Sequence, residues 1–506
     1  MSRRHGVPLR GLMSTKSSPL FQGLFGRMFR FLHPATFGDS EAENTANLTA
    51  LGAAMSAGFD APFDGLDPEE SGIPALYTYL GQFIDHDLTF DPNSSLQKQD
   101  DPDALVDYRT PAFDLDNVYG RGPDDQPYLY DDTGASFLLG DPIGGGGDPD
   151  ARDLSRNNAP GARRALIGDP RNDENSIVSQ FQGLVLRFHN RTVADNPSLE
   201  FADIQKLVRY HYQYVVLNDF LPRIVHSSVL ASLETGGHYD RHKLKYYHPR
   251  NDPFMPIEFS VAAYRLGHSM VRPGYRLNDA VLLPIFPVPS QGLPEGLTGF
   301  RAMNPAWGID WGRFIDVDIR DYDPADKSQR LQFAYRIDTS VVNPLSNLPP
   351  SVAANPSSLP ARNLLRGWRL GLPSGQSVAR AMGVTPLDDD QILIGKFVQP
   401  LATLPDPDTP QTITSVSPVF ADNCPLWTYI LAETLKFEEP VKLPVNQDIT
   451  IMTPRLGPVG GRIVAEVFLG LMFGDSNSLL NQHPHWHPAS GADYTLKDFV
   501  NYALGK

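Results

Sequence analysis

Apolar residues recur at helical spacing in three stretches of this chain, and in each a histidine interrupts them. Across residues 81–89 the spacing of Leu80, Phe83, Ile84 and Leu88 predicts a buried or half-buried helix. Its polar content is Asp85-His86-Asp87, and a carboxylate in such surroundings has to be paired, metal-bound or covalently modified. Gln82 and His86 stand four residues apart and share one helix face, whereas Asp85 and Asp87 are turned away on either side of His86. One turn therefore presents three differently aimed groups. Taken alone, Asp-His-Asp is usually an N-cap or a surface turn, but the other segments argue against that reading here.

The second stretch carries Ile177, Phe181, Leu184, Val185 and Phe188 and ends in Arg187-Phe188-His189-Asn190-Arg191. It is preceded by Gly168-Asp169-Pro170-Arg171-Asn172-Asp173-Glu174-Asn175. The third, residues 259–271, is predicted as a helix with His268 among apolar neighbours in Ala263-Tyr264-Arg265-Leu266-Gly267-His268-Ser269-Met270. Between the first two lies residues 110–120, a loop with oxygen ligands at alternating positions.

In this order and spacing, from about Phe25 to the C-terminus, the four segments resemble the animal-type haem peroxidases, the superfamily of myeloperoxidase, peroxidasin and the cyclooxygenases. The resemblance implies a mainly α fold, one large domain with many long loops and little β. It also implies haem b as cofactor and hydrogen peroxide as oxidant. Splitting a peroxide on haem iron requires a base that takes the proton from one oxygen and returns it to the other. His86 matches that distal base. Arg171 matches the distal arginine, whose charge stabilises the departing oxygen. His268 matches the proximal iron ligand, and Asn363, in Ala361-Arg362-Asn363-Leu364-Leu365-Arg366-Gly367, matches the asparagine that bonds its other nitrogen. Arg265 matches the arginine that pairs with a haem propionate.

In the family an aspartate adjoining the distal His and a glutamate three residues beyond the distal Arg form esters to haem methyl groups. Asp85 and Glu174 match those positions, with ordinary salt bridging as the alternative. Asn175 stands where one relative has a methionine that forms a sulfonium link, so two esters and no sulfonium are implied. That argues against chloride oxidation. Gln82 matches the residue that hydrogen-bonds the halide or distal water, leaving bromide, iodide, thiocyanate or small aromatic molecules as expected donors. Asp87, Thr110, Ala112 through its carbonyl, Asp114 and Asp116 match the family's calcium site, where the last position is usually serine. A solvated acidic loop is the alternative.

Composition agrees with this reading. The 46 prolines and 42 glycines among 506 residues imply long irregular connections, as in residues 283–299 and 343–359. A net charge of -16 disfavours nucleic acid and anionic membrane as partners. Cys424 is the single cysteine, which excludes an internal disulfide and suggests a bacterial or otherwise cysteine-poor branch. Residues 1–45 read as a basic arm and lead-in, and 46–506 as the catalytic domain. The arm holds Arg3, Arg4, Arg10, Lys16, Arg27 and Arg30 but no continuous apolar core of signal-peptide length. No transmembrane run stands out, so the compartment stays open between cytoplasm and leaderless export. His483, His485 and His487 alternate with proline and tryptophan in an expected extended loop, where a metal site would need a further ligand.

Two other functions remain in view. A fatty-acid dioxygenase of the cyclooxygenase-like branch needs a tyrosine three residues before the proximal His, where this chain has Arg265, with Tyr264 one position off. A non-catalytic peroxidase-like binding protein should have lost its working residues, whereas His86, Arg171, Glu174 and His268 are all present.

Overall fold

The computed structural model describes residues 25–58, 65–89, 111–158, 160–247, 249, 253–353, 355–398 and 410–506. Helices form its core, and every strand pairing among the described residues is a two-stranded one. The mainly α expectation holds, with long loops and little β.

The helix expected around His86 is α2 (Leu76–Leu88), and the long pattern after Glu174 is α4 (Ser176–Asp195). Before them comes α1 (Glu41–Ala54), started by a reciprocal capping box in which Ser40 and Glu43 satisfy each other's backbone N–H groups. It runs through the 45/46 division. A single turn, α3 (Asp116–Tyr119), follows the acidic loop, and α5 (Phe201–Val215) follows α4. Further on lie α6 (Leu359–Arg369), α7 (Leu426–Glu433), α8 (Gly460–Gly474) and α9 (Leu496–Leu504). Phe83 of α2 meets Phe181 of α4 edge to face at 5.2 Å, and Phe188 of α4 stacks on Phe499 of α9 at 4.0 Å. The apolar face of α2 is thereby held against α4, and its polar face is left for the site. No helix among the described residues is long and apolar enough to cross a membrane.

Residues 259–271 depart from expectation. Instead of a regular helix the chain makes a π-helical turn, Glu258–Ala262, and then a 3-10 helix, Ala263–His268. The cause lies in side chains that take the carbonyls an α-helix would use. Arg265 Nε donates to Ser260 O at 2.9 Å, and Trp427 Nε1 of α7 donates to Arg265 O at 3.3 Å.

The lead-in packs on this same segment. Phe25–Gly26 pairs in parallel with Met255–Pro256, while the backbone N–H groups of Met28 and Phe29 donate to the buried Glu258 carboxylate at 3.0 and 3.1 Å. Arg27 donates to the carbonyls of Gly371 and Leu370, just beyond α6. Residues 1–24, most of the expected basic arm, lie outside the described residues. In the expected loops at 283–299 and 343–359 the described residues hold the end of the strand Leu282–Pro284, a 3-10 turn, the short helix Asn343–Ser346 and the first residue of α6. Cys424 is buried, which pushes its thiol pKa well up.

Helix α1 touches α6 at Gly52, where an added Cβ would fall 2.8 Å from Ala361 N and 2.9 Å from Ala361 Cα. Backbone cannot yield as a side chain can. Gly52→Ala should therefore push α6 outward and cost about 1–3 kcal/mol, typical of overpacking. A denaturation midpoint equal to the parent's would refute the close approach.

Candidate active site

Two histidines on neighbouring elements define the site, and each is held by an asparagine. His86, on the fourth turn of α2, is almost fully buried, and its Nδ1 lies 2.7 Å from Asn172 Oδ1. Asn172 donates in turn from Nδ2 to Gln182 Oε1 on α4 at 2.9 Å. With Oδ1 towards the ring, Nδ1 carries the proton and Nε2 the lone pair. Nε2 faces Glu174, 3.7 Å from Oε1. His268 ends the 3-10 helix, and its Nδ1 lies 2.8 Å from Asn363 Nδ2 on α6. Burial, and then the nearby Arg265 charge, bring the His268 pKa down to about 3. The imidazole is therefore neutral and able to offer a lone pair.

Tyr264 bridges the two elements, donating from its hydroxyl to Gly81 O of α2 at 3.2 Å. Its phenol pKa is raised by burial and then by the nearby charge of Asp85. Gln82, Asp85, Glu174, Arg265, Gly267 and His268 are all half-buried, although their neighbours on the same elements are mostly buried. A Cβ added at Gly267 would meet nothing within 4 Å. These residues stay partly open to solvent where α2 and the 3-10 helix meet. In that helix three residues make a turn, so Arg265 lies directly before His268 on one face and Tyr264 is turned about 120° away.

Gln82 donates from Nε2 to Glu174 Oε1 and accepts at Oε1 from Asn175 Nδ2 at 3.1 Å. Asn175 is also the N-cap of α4, its Oδ1 accepting from Ile177 N and Val178 N at 3.1 and 2.9 Å. Arg171 does not reach out alone. Asp169 holds its guanidinium at 2.8–3.3 Å, and its Nη2 also donates to the carbonyls of His86 and Thr89 at the end of α2.

Behind α2 the buried carboxylates of Asp87, Asp114 and Asp116 offer oxygens within 4.8 Å of one another. Two oxygens bound to one calcium at about 2.4 Å can be at most about 4.8 Å apart, so the spacing suits a shared cation. Three negative charges this close in the interior are costly without one. From α5, Gln213 Nε2 donates to Phe113 O at 2.7 Å and Arg209 Nε donates to Asp114 O, pinning the loop. Ala112 is buried in the same loop, while Thr110 lies outside the described residues.

Sequence reasoning missed Asn172, the capping role of Asn175, and the Asp169 partner of Arg171. Asn172 and Asn175 lay inside a recognised motif, and the signal available was that histidine and glutamine in a site need orienting partners. At the far end, His483, His485 and Trp486 make aromatic contacts with Tyr210, His238 and His211, and His483, His485 and His487 are exposed.

His189 of α4 secures α3 to this region. Its Nε2 donates to Ala135 O at 2.8 Å, so its Nδ1 accepts from the Tyr119 hydroxyl at 3.0 Å. Burial brings its pKa down to about 4. Below the unfolded value of about 6.5 the unfolded chain takes up a proton that the folded one refuses. Stability is thus whole above about pH 6.5 and falls by about 3 kcal/mol as pH drops towards the folded value. His189→Gln should lose this dependence. The gap in denaturant midpoint between parent and variant should narrow from pH 7 to pH 4, and a constant gap would contradict it.

Residues 95–400 match the family model for animal haem peroxidase. The chain is 29% identical over 158 residues to thyroid peroxidase of Canis lupus familiaris, covering 30% of this chain and 16% of that protein. It is 24% identical over 245 residues to peroxidasin of Drosophila melanogaster, covering 46% of this chain and 14% of that protein. The chain thus aligns with less than a fifth of the length of these relatives. In fold it is similar to peroxidase A from Dictyostelium discoideum, with TM-score 0.58, 15% identity, and 96% and 94% of the two chains covered. It is also similar to a fatty acid alpha-dioxygenase from Arabidopsis thaliana, with TM-score 0.55, 15% identity, and 95% and 77% covered.

Proposed function

This chain belongs to the animal haem peroxidase family, and on that premise we propose that it is a haem peroxidase reducing hydrogen peroxide at the expense of small donors. The observation that supports this most is the pair of histidines on bridged elements, with Nδ1 held by Asn172 at 2.7 Å in one and by Asn363 at 2.8 Å in the other. His86 can then present Nε2 to the site, and His268 would do the same with the Asn363 amide turned so that Oδ1 accepts from Nδ1–H. The residues fit a haem. His268 would ligate the iron through Nε2, Arg265 would meet a propionate, and Asp85 and Glu174 would hold the ring by ester links. Bound there, the haem supplies the redox centre that takes oxidising equivalents from peroxide and delivers them to a donor.

The chain's own groups do the rest. His86 Nε2 takes the proton from one peroxide oxygen and returns it to the other, while Asn172 keeps Nδ1–H from competing. Arg171, fixed by Asp169 at the end of α2, places positive charge beside the departing oxygen. Gln82 offers N–H to water or to an anionic donor. Asn363, whose Nδ2 lies 2.8 Å from His268 Nδ1, would strengthen that imidazole as a ligand once turned to offer its carbonyl end to Nδ1–H. Asp87, Asp114 and Asp116, with Thr110 and the Ala112 carbonyl, would bind calcium and hold α2 to the loop before α3. Residues 46–506 would act as one catalytic domain. Asn175 has no sulfur to link, so bromide, iodide, thiocyanate and small phenols are the proposed donors, and chloride is not.

The fatty-acid dioxygenase alternative is disfavoured. Arg265 occupies the turn directly before His268, and Tyr264 is turned to Gly81 O. All four working residues expected to decay in a binding protein remain.

The purified protein should show a Soret band that shifts on adding hydrogen peroxide. His86→Ala should slow that shift at least about a hundredfold, as for a lost general base, with haem content kept. A variant reacting at the parent rate would remove His86 from the mechanism. After peroxide treatment, acid–acetone should leave much of the haem on the protein, whereas from Asp85→Ala, Glu174→Ala it should extract freely. Complete extraction from the treated parent would exclude the esters.

A further inference from the structure

Gln82 has an amide whose two ends differ in chemistry but hardly in shape. Turned one way it shows the pocket an N–H donor, and turned the other way a carbonyl oxygen. Rotation about its last bond is soft, so Gln82 does not decide its own direction. Asn175 does. The backbone N–H groups of Ile177 and Val178 can only donate, and both donate to Asn175 Oδ1. That leaves Asn175 Nδ2 as the end facing Gln82, where it donates to Oε1 at 3.1 Å. Gln82 Nε2 is then forced towards Glu174, beside the face on which His86 Nε2 approaches the same carboxylate oxygen at 3.7 Å. A fixed direction is passed from the first turn of α4, through Asn175, to a residue one turn before His86 on α2.

We propose that Asn175 is the positioning residue that turns the Gln82 amide N–H towards the pocket, and that this direction lets the pocket bind an anionic donor such as bromide, iodide or thiocyanate. The inference rests on the reading of Gln82 as the donor contact given above. An anion is held by N–H groups and repelled by carbonyl oxygens. With the amide reversed, Oε1 would face an acceptor oxygen of Glu174, whether carboxylate or ester, and any incoming anion. Asn175 therefore acts on anion binding without touching the anion, while capping α4 at the same time.

The two roles separate cleanly by substitution. Asn175→Ser keeps a good N-cap oxygen and adds no charge, but has no second N–H for Gln82. Bromide binding, read from the Soret shift on titration with sodium bromide, should weaken about five- to tenfold, as for a lost hydrogen bond to a charged group. The denaturation midpoint should stay near the parent's. Equal bromide affinity in parent and Asn175→Ser would overturn the proposal. A second readout needs no haem. In haem-free protein carrying 15N-labelled glutamine, the side-chain signal of Gln82, assigned by its absence in Gln82→Leu, should move in Asn175→Ser. Asn175→Asp, an equally good cap with oxygen at both ends, should move it too, because Gln82 must turn its N–H to the new carboxylate. An unmoved signal in both variants would also overturn the proposal. If the parent binds no bromide yet the Gln82 signal moves, the halide reading of the pocket fails while the control of Gln82 by Asn175 stands.

Discussion

The hydrogen bond from Tyr264 to the Gly81 carbonyl is the constraint on which the site depends. It joins a π and 3-10 segment to a regular α-helix. On α2 stand Gln82, Asp85 and His86, and on the 3-10 helix Arg265 and His268. What the site can do follows from the spacing held by that contact and from the direction in which each polar group is locked. Apolar packing sets the first of these. Phe83 against Phe181 holds α2 on α4, and Trp427 holds the carbonyl of Arg265. Amide groups set the second.

Much of this was legible in the sequence, and the reason is periodicity. Helices α2 and α4 declare themselves by apolar residues at helical spacing, and they appear where expected. The meeting of Asp87, Asp114 and Asp116 and the approach of Asn363 to His268 followed from matched motifs, whereas the contact of Gln82 with Glu174 did not. What failed to show was anything decided by a side chain reaching into a backbone ladder. Residues 259–271 keep a helical hydrophobic pattern whether the turns are α, π or 3-10, so the pattern could not reveal that Arg265 captures Ser260 O. The change matters, because three residues per turn aligns Arg265 with His268 and carries Tyr264 off that face.

Direction was equally hidden. A glutamine or asparagine in a sequence states that a donor and an acceptor are present, but not which end faces which neighbour. That is a property of the groups around it. Asn175 is informative because it is anchored by groups with no choice, two helix N–H donors, so its direction propagates to Gln82. Asn172 and Arg171 illustrate the same gap. The motif supplied the residue types, while the partners Gln182 and Asp169, which fix how these residues point, emerge only in three dimensions.

The tie between the lead-in and Glu258 bears on how the protein is made. Met28 and Phe29 hold a carboxylate about 230 positions later, beside the segment that ends in His268, and Asn363 joins 95 positions further on. Contacts this remote in sequence form slowly, because a long loop must close before they return any energy. During synthesis the distal half of the pocket, α2 and the start of α4, would emerge well before its facing wall. For a time a growing chain would carry Asp85, His86 and Glu174 with nothing opposite them. On the proposed function, cofactor capture would thereby be a late event, reserved for a chain long enough to bring both walls together.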